Sequence, residues 1–228
     1  MADVTVRAQW GPRKESTAEV AERLWALLRD LGGIAPETFA DWDEAVGDPA
    51  AVAAYLAAAN PPEEERPSQV AILQAARPGA ARARVTVMAG GEDEWTVQSV
   101  SITLGGADGT LPPAGRLPEV LAAIAGAFDP DWGDVHDDAL FGAVQEGLGL
   151  RKIDPRCGRA VLLSAARAAL VPDGLAGRRV PVAHGGLLVD FAGPDGAVAT
   201  DTVLAATEAL RATGALAALP RPLDRPKL

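Results

Sequence analysis

The densest group of chemically competent side chains lies in one decapeptide, Asp129-Pro130-Asp131-Trp132-Gly133-Asp134-Val135-His136-Asp137-Asp138. Its acids, imidazole and indole admit three chemistries. Clustered carboxylates supply oxygen ligands for Ca2+ or Mg2+, although the ligand spacing, glycine and closing glutamate of an EF-hand loop are not met. The same acids can cap helices and solvate the loop between them. Finally, Asp129, Asp131, Asp134, Asp137 and Asp138 around Trp132 make a patch suited to a cationic protein surface. In such a patch unlike charges speed encounter and fix register, while the aromatic supplies binding energy. Asp41, Trp42, Asp43 and Glu44 repeat the pattern on a smaller scale.

Catalytic constellations are scarce. Cys157, the single cysteine, and His184 form the one formal nucleophile–base pair, since a thiol needs a neighbouring base. A lone cysteine is more often a buried small hydrophobe. His184, ahead of Gly185-Gly186, suits either the polarisation of a ligand or a hydrogen-bonded structural role at a strand start. The two histidines, His136 and His184, stand far apart, so metal-ligand spacing is missing. No G-x-x-x-x-G-K-[ST], G-x-S-x-G or G-x-G-x-x-G occurs. The expectation is a chain with no catalytic residue, no metal and no cofactor.

Composition narrows the partners. The chain has 228 residues and a formal net charge of −10, a field that repels phosphate backbones and disfavours direct nucleic-acid binding. It favours a basic protein partner, and nuclease clefts are basic because they hold polyanions. One cysteine excludes an intrachain disulfide framework. Met1-Ala2-Asp3 lacks the basic and apolar regions of a signal peptide, and Arg29-Asp30 interrupts the best apolar run. A cytoplasmic protein with no membrane partner is expected, and a monomer before a homo-oligomer.

The elements that must position these groups are partly legible. Ser16 and Glu19 have capping-box spacing, and Val20, Leu24, Leu27, Leu28 and Leu31 follow on one helical face up to Gly32-Gly33. Asp48-Pro49 predicts the cap and first residue of a second helix. Val85, Val87 and Ala89 alternate with Thr86 and Met88, and Trp95 to Leu104 sets Trp95, Val97, Ser99, Ser101 and Thr103 on one face with Val100, Ile102 and Leu104 opposite, with Gly90-Gly91-Glu92-Asp93 as a hairpin connection. Val70–Ala75 fits strand or helix. Leu117, Val120, Leu121, Ile124 and Phe128 predict a helix; an acidic loop should follow, then a helix over Ala139–Gln145. Short strands are expected at Ala160–Leu163 and Gly185–Phe191, and a last helix capped by Thr200 or Asp201. Strands and helices mix without βαβ alternation. The reading is a single α+β domain over 1–219, with helices packed on a central antiparallel sheet, and a disordered Pro-rich tail over 220–228.

The strand Val4–Trp10, the turn Trp10-Gly11-Pro12-Arg13, the capped helix with Glu22-Arg23-Leu24, and Phe39 with Trp42 occur in that order. This order resembles the start of the immunity protein 52 family. Weaker similarity continues through Asp129-Pro130-Asp131-Trp132, the Gly-Gly-Leu-Leu-Val strand and a closing helix ending in Gly214. The resemblance implies an α+β protein encoded beside a toxin with a restriction-endonuclease-like domain. It implies a cytoplasmic antidote that binds and blocks that nuclease, with no turnover, cofactor or required metal. Asp41–Glu44 or Asp129–Asp138 would then face the toxin's basic cleft. Two other classes stay open: a small-molecule enzyme using a site near His184 with Asp190 or Asp134, and a scaffold whose aromatics contact a second copy.

Overall fold

A computed structural model describes residues 3–39, 42, 47–61, 67–75, 82–105, 114–193 and 195–228. Among the described residues, eight strands run β1 (Val4–Trp10), β2 (Gln69–Ala75), β3 (Arg82–Ala89), β4 (Gln98–Gly105), β5 (Trp132–Asp137), β6 (Ala160–Leu163), β7 (Arg178–Pro181) and β8 (Leu187–Asp190). The helices are α1 (Thr17–Ile34), α2 (Pro49–Ala59), α3 (Leu117–Phe128), α4 (Asp138–Gly147), the single turn α5 (Ala165–Ala168) and α6 (Thr200–Ala212). The strands form one sheet in the order β2-β3-β4-β1-β5-β6-β8-β7, and each adjacent pair is antiparallel. The expected single α+β domain is the fold observed.

Side-chain alternation divides the molecule. Val4, Val6, Ala8 and Trp10 of β1 join Val85, Val87, Val100, Ile102 and Leu104 in a core covered by α1 and α3, with α2 packed on α1. A second core lies behind β6 and β8, where Val161, Leu163 and Val189 meet Val144 of α4 and Val203 and Leu210 of α6. Over β1 and β4 the second face is polar, carrying Thr5, Arg7, Gln9, Ser99, Ser101 and Thr103. This is the alternation of an antiparallel sheet with one solvated side.

Several expectations hold locally. Ser16 and Glu19 form the capping box, and Asp48 caps α2 with Pro49 in its first turn. Val70–Ala75 belongs to a strand. Other expectations need correction. The helix begun at Ser16 runs through Gly32-Gly33 to Ile34, and α6 starts from Ala199, not Thr200 or Asp201. Trp95 stands in the turn before β4 rather than within it.

The largest correction is the acidic loop. Residues 132–137 are the fifth strand, between β1 and β6 at the centre of the sheet. Gly133 makes the close packing there feasible: a Cβ would lie 2.6 Å from the Arg7 carbonyl oxygen and 3.0 Å from Leu121. Residues 220–228 also depart from the expected disordered tail. Leu223 is buried, its N–H donates to the Glu94 carbonyl (2.7 Å), and the Gly11 N–H donates to that of Pro226 (2.9 Å). One apolar anchor and main-chain hydrogen bonds hold a segment whose composition alone suggests disorder.

The free edge of β2 is closed by side chains of α2 and of its C-cap, Asn60. Tyr55 donates its hydroxyl to the Ile72 carbonyl (2.6 Å) and accepts from the Ile72 N–H (3.3 Å). Asn60 bridges Val70 in the same way, donating from Nδ2 (2.9 Å) and accepting at Oδ1 (2.8 Å). These pairs satisfy backbone groups that an open edge would offer to another strand. Among the described residues, no helix is long and apolar enough to cross a membrane.

Candidate functional site

The Trp10-Gly11-Pro12-Arg13 turn organises one end of the sheet. Trp10 Nε1 donates to Gln98 Oε1 (3.1 Å), and the same oxygen accepts the Gly90 N–H (2.9 Å). Gln98 Nε2 donates to the Gly91 carbonyl. The Arg13 guanidinium lies 5.2 Å from the Trp10 ring centroid and donates to the Phe128 carbonyl at the end of α3 (2.8 Å). Buried Glu15 pairs with both Arg13 (3.3 Å) and Arg23 (2.6 Å), and Arg23 donates to the Ala127 carbonyl (2.9 Å). These residues therefore lock β1, α1, α3 and the β3–β4 connection together. Their work is structural, and Gln98 and Glu15 are its unforeseen members.

The acidic decapeptide is taken apart by the strand. Asp131 is fully buried, where it accepts from Arg167 Nη2 (2.6 Å), Ser164 Oγ (3.2 Å) and the Leu228 N–H (3.0 Å). Asp134 is equally buried between Arg7 Nε (2.7 Å) and His136 Nδ1 (2.9 Å). Burial alone would raise the Asp134 pKa, but the Arg7 guanidinium and His136 outweigh it and hold the carboxyl below its ordinary value. Trp132 is buried beneath Arg7, whose guanidinium carbon lies 5.3 Å from the ring centroid. Asp131, Trp132 and Asp134, expected to contact a partner, are thus internal and present no free surface.

The remaining acids are scattered. Asp129 takes a left-handed conformation (φ 47°) at the end of α3 and pairs with Lys227 (2.5 Å). Asp137 caps α4 by accepting from the Leu140 N–H (2.9 Å), and Asp138 is exposed in the same helical turn. Asp41, Asp43 and Glu44 lie outside the described residues. Trp42 is half-buried, stacked on Phe39 with centroids 6.3 Å apart and bridged to Ala75. Among the described residues, no three His, Cys, Asp or Glu side chains are gathered as metal ligands.

Cys157 and His184 are not brought together. Cys157 belongs to the α6 core, where burial pushes its thiol up to about 12. His184 is exposed on the α3 side of the sheet, with φ 57° and Nε2 3.3 Å from the Gly126 carbonyl oxygen. The recess beside it measures about 10 Å3, enough for a water and too small for a metabolite. Asp190 is engaged by Arg178 (2.9 Å). A larger recess, about 190 Å3, opens where β1 and β5 approach residues 151–155 and 218–223.

No family model matches the chain, and no curated protein matches it in sequence. Among solved structures it is similar to Pseudomonas aeruginosa T6SS protein PA0821, with a TM-score of 0.53 over 92% of this chain and 73% of that one. Identity is 9%, so the likeness is one of fold.

Proposed function

We propose that this chain is an immunity protein of the kind its N-terminal motifs resemble, binding and neutralising a cognate nuclease-type toxin. The observation that carries the reading is the fold shared with a T6SS protein along 92% of the chain. The ordered W-G-P-R, capped-helix and F-x-x-W motifs of the sequence support it, as does a formal charge of −10 suited to a basic partner. The mode of action is occupation of the toxin by steric and electrostatic blockage, with no substrate converted. The partner is the nuclease protein itself and not its nucleic acid.

Co-expression with the C-terminal domain encoded by the adjacent reading frame tests this. Protection of the cells, together with a stable complex and loss of nuclease activity in vitro, is the expected result. A neighbouring product that is harmless, or a toxic one that neither binds nor is silenced, overturns the proposal.

A further inference from the structure

The acids and tryptophan expected to meet a partner are internal, yet the same chemistry recurs at an exposed place. Trp95 is 57% exposed, more than the other large exposed hydrophobics among the described residues, Ile72, Ile153 and Leu170. It directly follows Glu92, Asp93 and Glu94 in the β3–β4 connection, and Glu92 and Glu94 are themselves exposed. The indole stacks on no ring or guanidinium among the described residues.

The turn that presents it is rigidly held. Asp93 accepts from the Trp95 N–H (3.1 Å) and from the Thr96 hydroxyl. Gln98 and the Arg13 N–H fix the Gly91 carbonyl. From the other side Leu223 donates to the Glu94 carbonyl (2.7 Å), and Arg221 Nη1 donates to that of Trp95 (3.1 Å). Arg221 and Val97 also line the 190 Å3 recess, whose rim carries Ile153 at 46% exposure. A large aromatic held out of its own core on a braced turn loses little freedom on binding.

We infer that the Glu92–Trp95 turn, with the adjoining recess, is the docking epitope: Trp95 enters an apolar slot on a partner protein whose rim is lysine and arginine. Glu94 supplies the complementary charge, which sets register and encounter rate, while Glu92 is paired with Lys14 (2.7 Å) and Asp93 is engaged within the turn. The inference rests on the function proposed above and names the face that carries it. It replaces Trp132 with Trp95 as the anchor and moves the acidic patch from the sheet centre to its end.

The probe is the inactivated C-terminal domain from the adjacent reading frame, titrated calorimetrically against the full chain. Trp95→Ala should weaken binding about 30-fold or more, as for a central tryptophan anchor, while its thermal unfolding stays that of the wild type. Glu94→Lys should slow association, with the difference shrinking as salt is added. The acrylamide-quenchable fluorescence missing from Trp95→Phe should be protected in the complex. Undiminished affinity of a folded Trp95→Ala variant, or a Trp95 still quenchable when bound, overturns the epitope and leaves the proposed function standing. Self-association of the wild type through Trp95 overturns it in favour of a second copy. Failure of the wild type to bind removes the proposed function, and the epitope with it.

Discussion

Replacing Asp131 with Asn separates a structural from a contact role for the buried acids. Arg167 is fully buried and donates to two groups: the Asp131 carboxylate at 2.6 Å and the Ala215 carbonyl at 2.7 Å. Its Nε has no hydrogen-bond partner among the described residues. Asp131→Asn keeps the shape but leaves the guanidinium charge without its counterion in a low-dielectric site. Removing one member of a buried pair costs about 3–5 kcal/mol, against a total stability of about 5–15 kcal/mol for a typical domain. Urea denaturation should show the midpoint falling sharply with little change in slope. The double change Asp131→Asn with Arg167→Met deletes the stranded charge, so its loss should be smaller than that of Asp131→Asn alone. Affinity for the proposed toxin partner, measured where the single variant is still folded, should be unchanged. A loss under about 1 kcal/mol, or a double variant worse than the single, would refute the claim that the pair is internal and mutually compensating. Removing Asp131, Trp132 and Asp134 together would report unfolding and say nothing of an interface.

The Asp134 carboxyl carries a sign that can be checked. Its folded pKa lies below its ordinary value, so its stabilisation is present above about pH 4 and lost as pH falls through the folded value. Acid unfolding followed by circular dichroism should therefore be less steep below about pH 4 for Asp134→Asn than for the wild type. Tyr55→Phe with Asn60→Ala removes the four bonds that close the β2 edge. It should cost about 1–3 kcal/mol and give concentration-dependent association by sedimentation, whereas a monomer of unchanged stability would count against edge closure. Cys157, with its thiol pushed up to about 12, should resist a thiol reagent at pH 7 and react only in urea. Rapid native labelling would show that the core around α6 opens.

What the sequence made legible was local. The Ser16–Glu19 box, the Asp48-Pro49 start and the alternation of Val85, Val87 and Ala89 each act within a few residues, and each appears where expected. The fifth strand escaped because its pattern is completed from elsewhere. Asp134 interrupts the apolar period, and the Arg7 that makes its burial tolerable lies 127 residues away. Asp131 depends likewise on Arg167. An acid at a core position looks like an acid in a loop until its partner is known. The segment 220–228 misled for the converse reason: proline content suggests disorder, whereas Leu223 and three backbone carbonyls, those of Pro226, Glu94 and Trp95, do the docking. Trp95 shares a two-residue period with Val97 and Ser99 in the sequence and so passed for a strand residue.

The same long-range pairing changes where the negative field can act. Asp131 with Arg167 and Asp134 with Arg7 each join one negative to one positive group, and Glu15 meets two arginines. Together these seven side chains sum to +1, so the remaining residues carry −11 of the formal net −10. A partner drawn by that field is met first by exposed acids, and field alone fixes no orientation because screening blurs it beyond about 8 Å at physiological ionic strength. Orientation needs a short-range feature set among acids, and a braced, solvent-facing indole beside Glu94 is such a feature, while Trp132 under Arg7 is not. The motif that makes the chain resemble an immunity family thus works one step removed. Trp10, Arg13 and Gln98 hold the turn on which the proposed anchor, Trp95, stands.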